Sequence, residues 1–233
     1  MKQKILGVIG GLGPETGCKF CLYVNRKFKP LTKRQPHILL DNLPISQEAE
    51  ERLINGNPSQ EHLDLLLASV ERLNKLDADL IVIACNTVHI FIDKLRKEST
   101  APILSIIEET AKKCKDMTIT KVGILGSTKT IKSELHANEL SKWNIESITP
   151  NDTDQQFVSE CIIRIINNQI RDNDKIRMIK IIEKLEKKGA RGILLGCTDL
   201  PLLISDQDAN IPIINTTQIL EDSSVNKLIN KIK

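Results

Sequence analysis

The sequence predicts an α/β protein made of two pseudo-symmetric domains, each a mostly parallel sheet flanked by helices, with a cleft between them. Three observations carry that reading. Short β-branched and aliphatic runs alternate with longer helical patterns. Several runs stop at glycine- or hydroxyl-rich turns. Three landmarks recur in the same order roughly 110 residues further along the chain.

The first run, Ile5 to Ile9, ends at Gly10-Gly11-Leu12-Gly13-Pro14, and a helical pattern starts after the proline, which suits a first helical turn. His37 to Leu40 and Leu80 to Ala84 read as further strands, with a helix over Glu61 to Leu76 between them. Val122 to Leu125 is a strand ending at Gly126-Ser127-Thr128. Helices within Val158 to Lys188 precede a strand at Gly192 to Leu195, which ends at Gly196-Cys197-Thr198. Alternation of this kind produces a parallel sheet with helices on both faces. The charge runs near Lys184 to Lys188 and at the C-terminus read as solvated helix faces.

Gly7-Val8-Ile9-Gly10 matches Gly123-Ile124-Leu125-Gly126, and Leu80 to Thr87 matches Gly192 to Thr198. Ala101-Pro102-Ile103-Leu104-Ser105 matches Ile211-Pro212-Ile213-Ile214-Asn215. The inferred division places residues 1–102 with about 213–233 in a first α/β domain and 103–212 in a second.

Composition removes several function classes. The chain has 233 residues, a net charge of +3, 40% hydrophobic and 27% charged residues, which is ordinary globular usage. The charge-free stretch Leu80 to Ile92 is shorter than the roughly 20 residues a bilayer-spanning helix needs. The apolar run after Met1-Lys2-Gln3-Lys4 is short and is not followed by a small-residue cleavage site, so the N-terminus does not read as a signal peptide. A cytoplasmic protein without membrane contact is the expectation. A small positive surplus without a basic stripe, and 3% aromatic residues, argue against nucleic acid and for a small-molecule partner.

Six cysteines in a reduced compartment are thiols rather than a disulfide framework. Cys85 and Cys197 follow strand ends at equivalent places of the two halves, where open α/β sheets bind ligands. Related by a pseudo-twofold axis, their sulfurs would flank one cleft. A helix starting at each, with Asn86-Thr87 and Thr198-Asp199 as capping types, would favour thiolate. Two such groups on opposite faces of a carbon acid permit abstraction from one side and delivery from the other, inverting that carbon. A single buried cysteine is ordinarily an inert small hydrophobe; the matched pair is what argues otherwise.

Gly10-Gly11-Leu12-Gly13-Pro14, Ala84-Cys85-Asn86-Thr87-Val88-His89, Ile107-Glu108-Glu109-Thr110 and Gly196-Cys197-Thr198-Asp199-Leu200 resemble signature segments of the aspartate/glutamate racemase superfamily, most closely its aspartate racemase branch. The resemblance covers nearly the whole chain. It implies amino-acid racemisation without cofactor or metal, in a cleft between two domains, often in a homodimer, with Cys85 and Cys197 as the acid/base pair. It further implies that Asn86, Thr87 and Thr198 bind the substrate amino and carboxylate groups. Ser127 and Thr130 in the matching loop, and backbone N–H groups at Gly11 and Leu12, are further carboxylate donors on the same reading.

The departures bear on substrate. The resemblance asks for a polar or basic side chain after the second strand to hold a distal carboxylate, and Arg52 is the candidate, beside the acidic Glu48, Glu50 and Glu51; an exposed helix arginine is the plain alternative. Many relatives carry a lysine where this chain reads Asp154-Gln155-Gln156-Phe157, and losing it weakens selection for a dicarboxylate. Asp199 stands where Glu is more usual, close enough to raise the Cys197 pKa. That makes Cys197 the expected resting thiol and Cys85 the expected resting thiolate.

The expected function is therefore cofactor-independent racemisation of an amino acid, aspartate or glutamate for preference. A related isomerase of the hydantoin racemase or maleate isomerase type, and a catalytically silent amino-acid-binding protein, stay open beside it. The glycine turn fails the dinucleotide fingerprint, since Thr16 occupies its sixth position. Cys18 and Cys21 lack a second ligand pair, Cys114 and Cys161 read as helix packing, and the four histidines show no metal-ligand spacing.

Overall fold

The computed structural model describes residues 3–13 and 15–230; Pro14, expected near the first helical turn, and Met1 and Lys2 lie outside them. The first half runs β1 (Ile5–Gly10), α1 (Thr16–Thr32), β2 (His37–Asn42), α2 (Gln47–Ile54), α3 (Gln60–Lys75), β3 (Leu80–Ile83), α4 (Ile92–Glu98) and β4 (Ile103–Leu104). After α5 (Ile106–Asp116) come β5 (Lys121–Leu125), α6 (Thr128–Lys132), α7 (Leu135–Ser141), β6 (Glu146–Ile148), α8 (Asp152–Ile166), α9 (Asp172–Lys187) and β7 (Ile193–Leu195). β8 (Ile213–Asn215) and α10 (Thr216–Ile229) follow.

The strands form two four-stranded sheets, ordered β2-β1-β3-β4 and β6-β5-β7-β8, and every pairing is parallel. The repeated sequence landmarks are thus repeated positions in two sheets of one topology. Gly7 and Gly123 show the likeness at atomic scale. A Cβ on Gly7 would lie 2.9 Å from Leu73 Cδ1 of α3, and one on Gly123 would lie 3.1 Å from Leu185 Cδ1 of α9. In both halves the helix before the third strand packs onto a missing side chain.

The central strands are buried on both faces, as parallel strands under helices require. Leu6, Val8, Phe20, Val24 and Leu220 fill one face of the first sheet, under α1 and α10. Leu63, Leu66, Val70 and Leu73 of α3 cover the other. Cys161, Ile162, Ile181 and Ile182 of α8 and α9 cover one face of the second sheet, and Ala111, Cys114 and Leu140 the other. Cys114 and Cys161 are therefore packing residues.

β4 and β8 are short edge strands, and each closes its own sheet. Residues 103 and 104 accordingly pair with the first sheet and residues 213–215 with the second. Hydrogen bonding to the neighbouring strand decides this, and a two- or three-residue run cannot signal it. α5 and α10 join the halves: Ile106 and Ile107 enter the first sheet's core while Ala111 enters the second's, and Ser223 on α10 donates to Glu109 on α5 at 2.7 Å.

Candidate active site

Cys85 and Cys197 each lie two residues beyond the third strand of their sheet, and both residues line one cleft. The cleft spans about 430 Å3 when the solvent at its mouth is counted. Each cysteine enters a short 3-10 turn, over Thr87–Phe91 and Leu200–Leu202, rather than a long helix. The backbone N–H groups of Thr87 and Val88 still point at Cys85, and those of Asp199 and Leu200 at Cys197.

Burial outweighs those donors. It pushes the Cys85 thiol up to about 11, with Asp199 and Glu50 adding to the rise. Burial also carries Cys197 well above the usual thiol range, helped by Asp199 and by Cys85 itself. Both are therefore thiols at rest near neutral pH. The expectation of a resting thiolate at Cys85 fails because desolvation exceeds what two N–H groups of a single turn offset.

Asp199 is 4% exposed and ties the halves together. Its Oδ1 accepts from Thr16 Oγ1 at 3.1 Å, and Cys197 Sγ donates to its Oδ2 at 3.8 Å. Burial raises its pKa, against these two donors. Gly13, at φ 125°, makes the approach possible: a Cβ there would sit 2.9 Å from Asp199 Oδ2, in a backbone region L side chains rarely adopt.

Hydroxyl and amide side chains fill the side of the cleft where the halves meet. Thr87 Oγ1 shares hydrogen bonds with Thr130 Oγ1 at 2.9 Å and Ser127 Oγ at 3.2 Å, linking the turn after β3 to the start of α6. Ser127 caps α6, its hydroxyl accepting from Thr130 N–H at 3.1 Å. Thr130 stands behind Thr87 and Ser127 in this network, while Leu12, Asn86, Thr87, Ser127, Thr198 and Asp199 line the cleft.

Arg52 is not among the lining side chains; it is exposed on α2. Glu50, two residues earlier and so about 200° around the helix, faces the cleft instead. Burial, with Asp199 and Glu51 nearby, lifts Glu50 to about 7. Among the described residues no lysine or arginine lines the cleft, so the expected cation for a distal carboxylate is missing there. Sequence reasoning also missed His62 and the apolar wall of Ile45, Leu53, Ile54, Ile162 and Ile166. Glu50 was hidden in an acidic run. His62 had one readable signal, its place three residues after Ser59 at a helix start.

The family described as Asp/Glu/Hydantoin racemase matches residues 9–222. The broad specificity amino-acid racemase RacX of Bacillus subtilis (strain 168) is 25% identical over 226 residues, 95% of this chain and 96% of that protein. A glutamate racemase of Hydrogenobaculum sp. is 31% identical over 141 residues, 60% of this chain and 53% of that protein. Among solved structures, a Yersinia pestis protein assigned to the Asp/Glu racemases superposes with a TM-score of 0.86 at 30% identity, covering 97% of this chain and all of that one. The aspartate racemase of Picrophilus torridus has the same fold, with a TM-score of 0.80 at 23% identity over 99% of this chain and 96% of its own.

Proposed function

Since the chain belongs to the Asp/Glu/Hydantoin racemase family, we propose that it racemises a free α-amino acid without cofactor, using Cys85 and Cys197 as two bases on opposite faces of Cα. The observation that supports this most directly is that the two cysteines, one from each half, line the same cleft. In the reaction one sulfur, as thiolate, takes the Cα proton and becomes a thiol. The opposite thiol gives its proton to the other face and becomes the thiolate, so proton and charge counts are unchanged and the roles of the sulfurs are exchanged.

One thiol proton has to leave before the first abstraction. On the Cys197 side Asp199 Oδ2, 3.8 Å from the sulfur, is the acceptor in hand. The substrate ammonium group, held by Asp199 and Glu50, brings a positive charge that favours thiolate. The α-carboxylate lies against Asn86, Thr87, Ser127 and Thr198, whose donors strengthen as negative charge develops on it. Holding both sulfurs against one carbon supplies the rest of the rate.

We read the chain as two lobes, with changeovers just behind β4 and β8 and with α10 returned to the first lobe. A cytoplasmic homodimer of the aspartate racemase branch is the setting this proposal adopts, and light scattering of the purified chain tests the dimer. The experiment for the reaction is racemisation in deuterium oxide with chiral separation of products. Solvent deuterium appears at Cα with the wild type, and Cys85→Ala or Cys197→Ala abolishes net racemisation. Undiminished racemisation in either variant removes the two-base reading, and binding without turnover in the wild type marks a silent amino-acid-binding protein.

A further inference from the structure

His62 is the one histidine that lines the cleft, and its position there is separately built. It is fully buried, at the first turn of α3. Its Nδ1 edge faces back to Ser59: the backbone N–H of Ser59 donates to Nδ1 at 3.4 Å, and the Ser59 hydroxyl lies 2.9 Å from the same nitrogen. Both contacts engage Nδ1, which leaves Nε2 as the free edge of the neutral ring. Burial, helped by Arg52, holds the imidazole below its ordinary pKa and so neutral.

Nε2 is buried and, among the described residues, has no hydrogen-bond partner. An unmade hydrogen bond of this kind costs free energy, so an unpartnered ring nitrogen on a residue that lines the cleft is a group awaiting a hydrogen-bonding partner. What that partner is follows from its surroundings. Ile45, Leu53, Ile54, Ile162 and Ile166 make the neighbouring wall apolar. Glu50 and Asp199 already give the cleft negative character, and no lysine or arginine lines it among the described residues. A second carboxylate on the substrate would be desolvated without a paired charge.

The geometry points to His62 as the residue that reads the substrate side chain, its Nε2 exchanging a hydrogen bond with an uncharged hydroxyl or carboxamide group, either of which can donate or accept. This rests on the racemase reading for where the substrate lies. It assigns the substrate class as neutral polar amino acids rather than aspartate or glutamate.

The test is a panel of L-glutamine, L-asparagine, L-homoserine, L-glutamate, L-aspartate and L-norleucine, followed by chiral chromatography. The best substrate carries a hydroxyl or carboxamide, with kcat/KM at least about tenfold above both acids and norleucine. His62→Leu lowers the advantage over norleucine by about tenfold or more, chiefly through KM. His62→Gln, whose side-chain amide can donate or accept near the same point, retains most of it. Both variants lose the ring that holds the start of α3, but lost stability alone does not change a ratio of two substrates measured on one protein. An acid or norleucine as the best substrate, or an unchanged ratio in His62→Leu, overturns the inference.

Should no amino acid be racemised, the Cys85→Ser/Cys197→Ser protein titrated calorimetrically with the same six amino acids carries the test. Binding that prefers a hydroxyl or carboxamide and weakens with His62→Leu upholds the inference while the racemase reading falls. Absence of that preference ends both.

Discussion

His136 Nε2 donates a hydrogen bond to Asn86 Oδ1 across 2.9 Å. The direction is settled by the far end of the same amide: Asn86 Nδ2 donates to Thr216 Oγ1 at 3.1 Å, and Thr216 Oγ1 donates to the Leu195 carbonyl at 2.8 Å. The residue next to Cys85 in the first half is thereby fastened to α7, to the start of α10 and to the end of β7, two residues before Cys197. Asn86 thus does structural work besides any contact with substrate, which its place in the sequence motif alone did not show.

Asn86→Ala leaves His136 Nε2 without a buried partner and takes away the donor to Thr216 Oγ1, which keeps only its bond to the Leu195 carbonyl. We expect a loss of about 1–3 kcal/mol in denaturant unfolding. We also expect a fall in racemisation larger than the unfolded fraction explains, because the two sulfur-bearing turns lose their common tie. Unfolding monitored by circular dichroism, paired with the chiral assay, checks both.

Acid should weaken the fold through two buried histidines. His89 Nδ1 donates to the Cys85 carbonyl at 2.8 Å while its Nε2 accepts from Ile106 N–H at 3.3 Å, and burial lowers its pKa to about 4. Burial, with His89 nearby, lowers His136 to about 3. Both lie below the ordinary 6.5, so the unfolded chain binds protons first. Their contribution to stability is whole above about pH 6.5 and is lost as pH falls towards those folded values. Unfolding free energy measured across this window should drop steeply, and His136→Gln, which keeps a donor for Asn86 but cannot titrate, should flatten the slope by up to about 1.4 kcal/mol per pH unit.

Both thiols are raised, so racemisation should climb from pH 7 towards pH 10 as the thiolate fraction grows. Asp199→Asn removes a negative charge beside Cys197 and moves that thiol's ionisation to lower pH. Thiolate ultraviolet absorbance, taken as the difference between proteins with and without Cys197→Ser, reads the shift. An unmoved or rising midpoint contradicts the assigned cause.

Parallel strands read clearly where they were long and wholly apolar, as at Ile5 to Ile9 and Leu80 to Ile83. The edge strands β4, β6 and β8 span only two or three residues, and the pairing that makes them strands is a long-range fact. The cysteine pair was legible because duplicated landmarks locate equivalent strand ends, and strand ends of open sheets are where ligands sit. Arg52 and Glu50 show the limit. They share one short helix, and which of them faces the cleft depends on how α2 rolls against the second half, where Ile54 enters the core of α8 and α9.

The sequence by itself determined the fold class, the internal duplication and the two sulfurs, because each follows from local periodicity repeated at a long interval. Only the tertiary structure decided the protonation of those sulfurs, the acidic rather than basic lining of the cleft, and that Nε2 of His62 is left without a partner among the described residues. Burial and the nearness of charges from distant segments set all three, and neither quantity exists until the chain is folded.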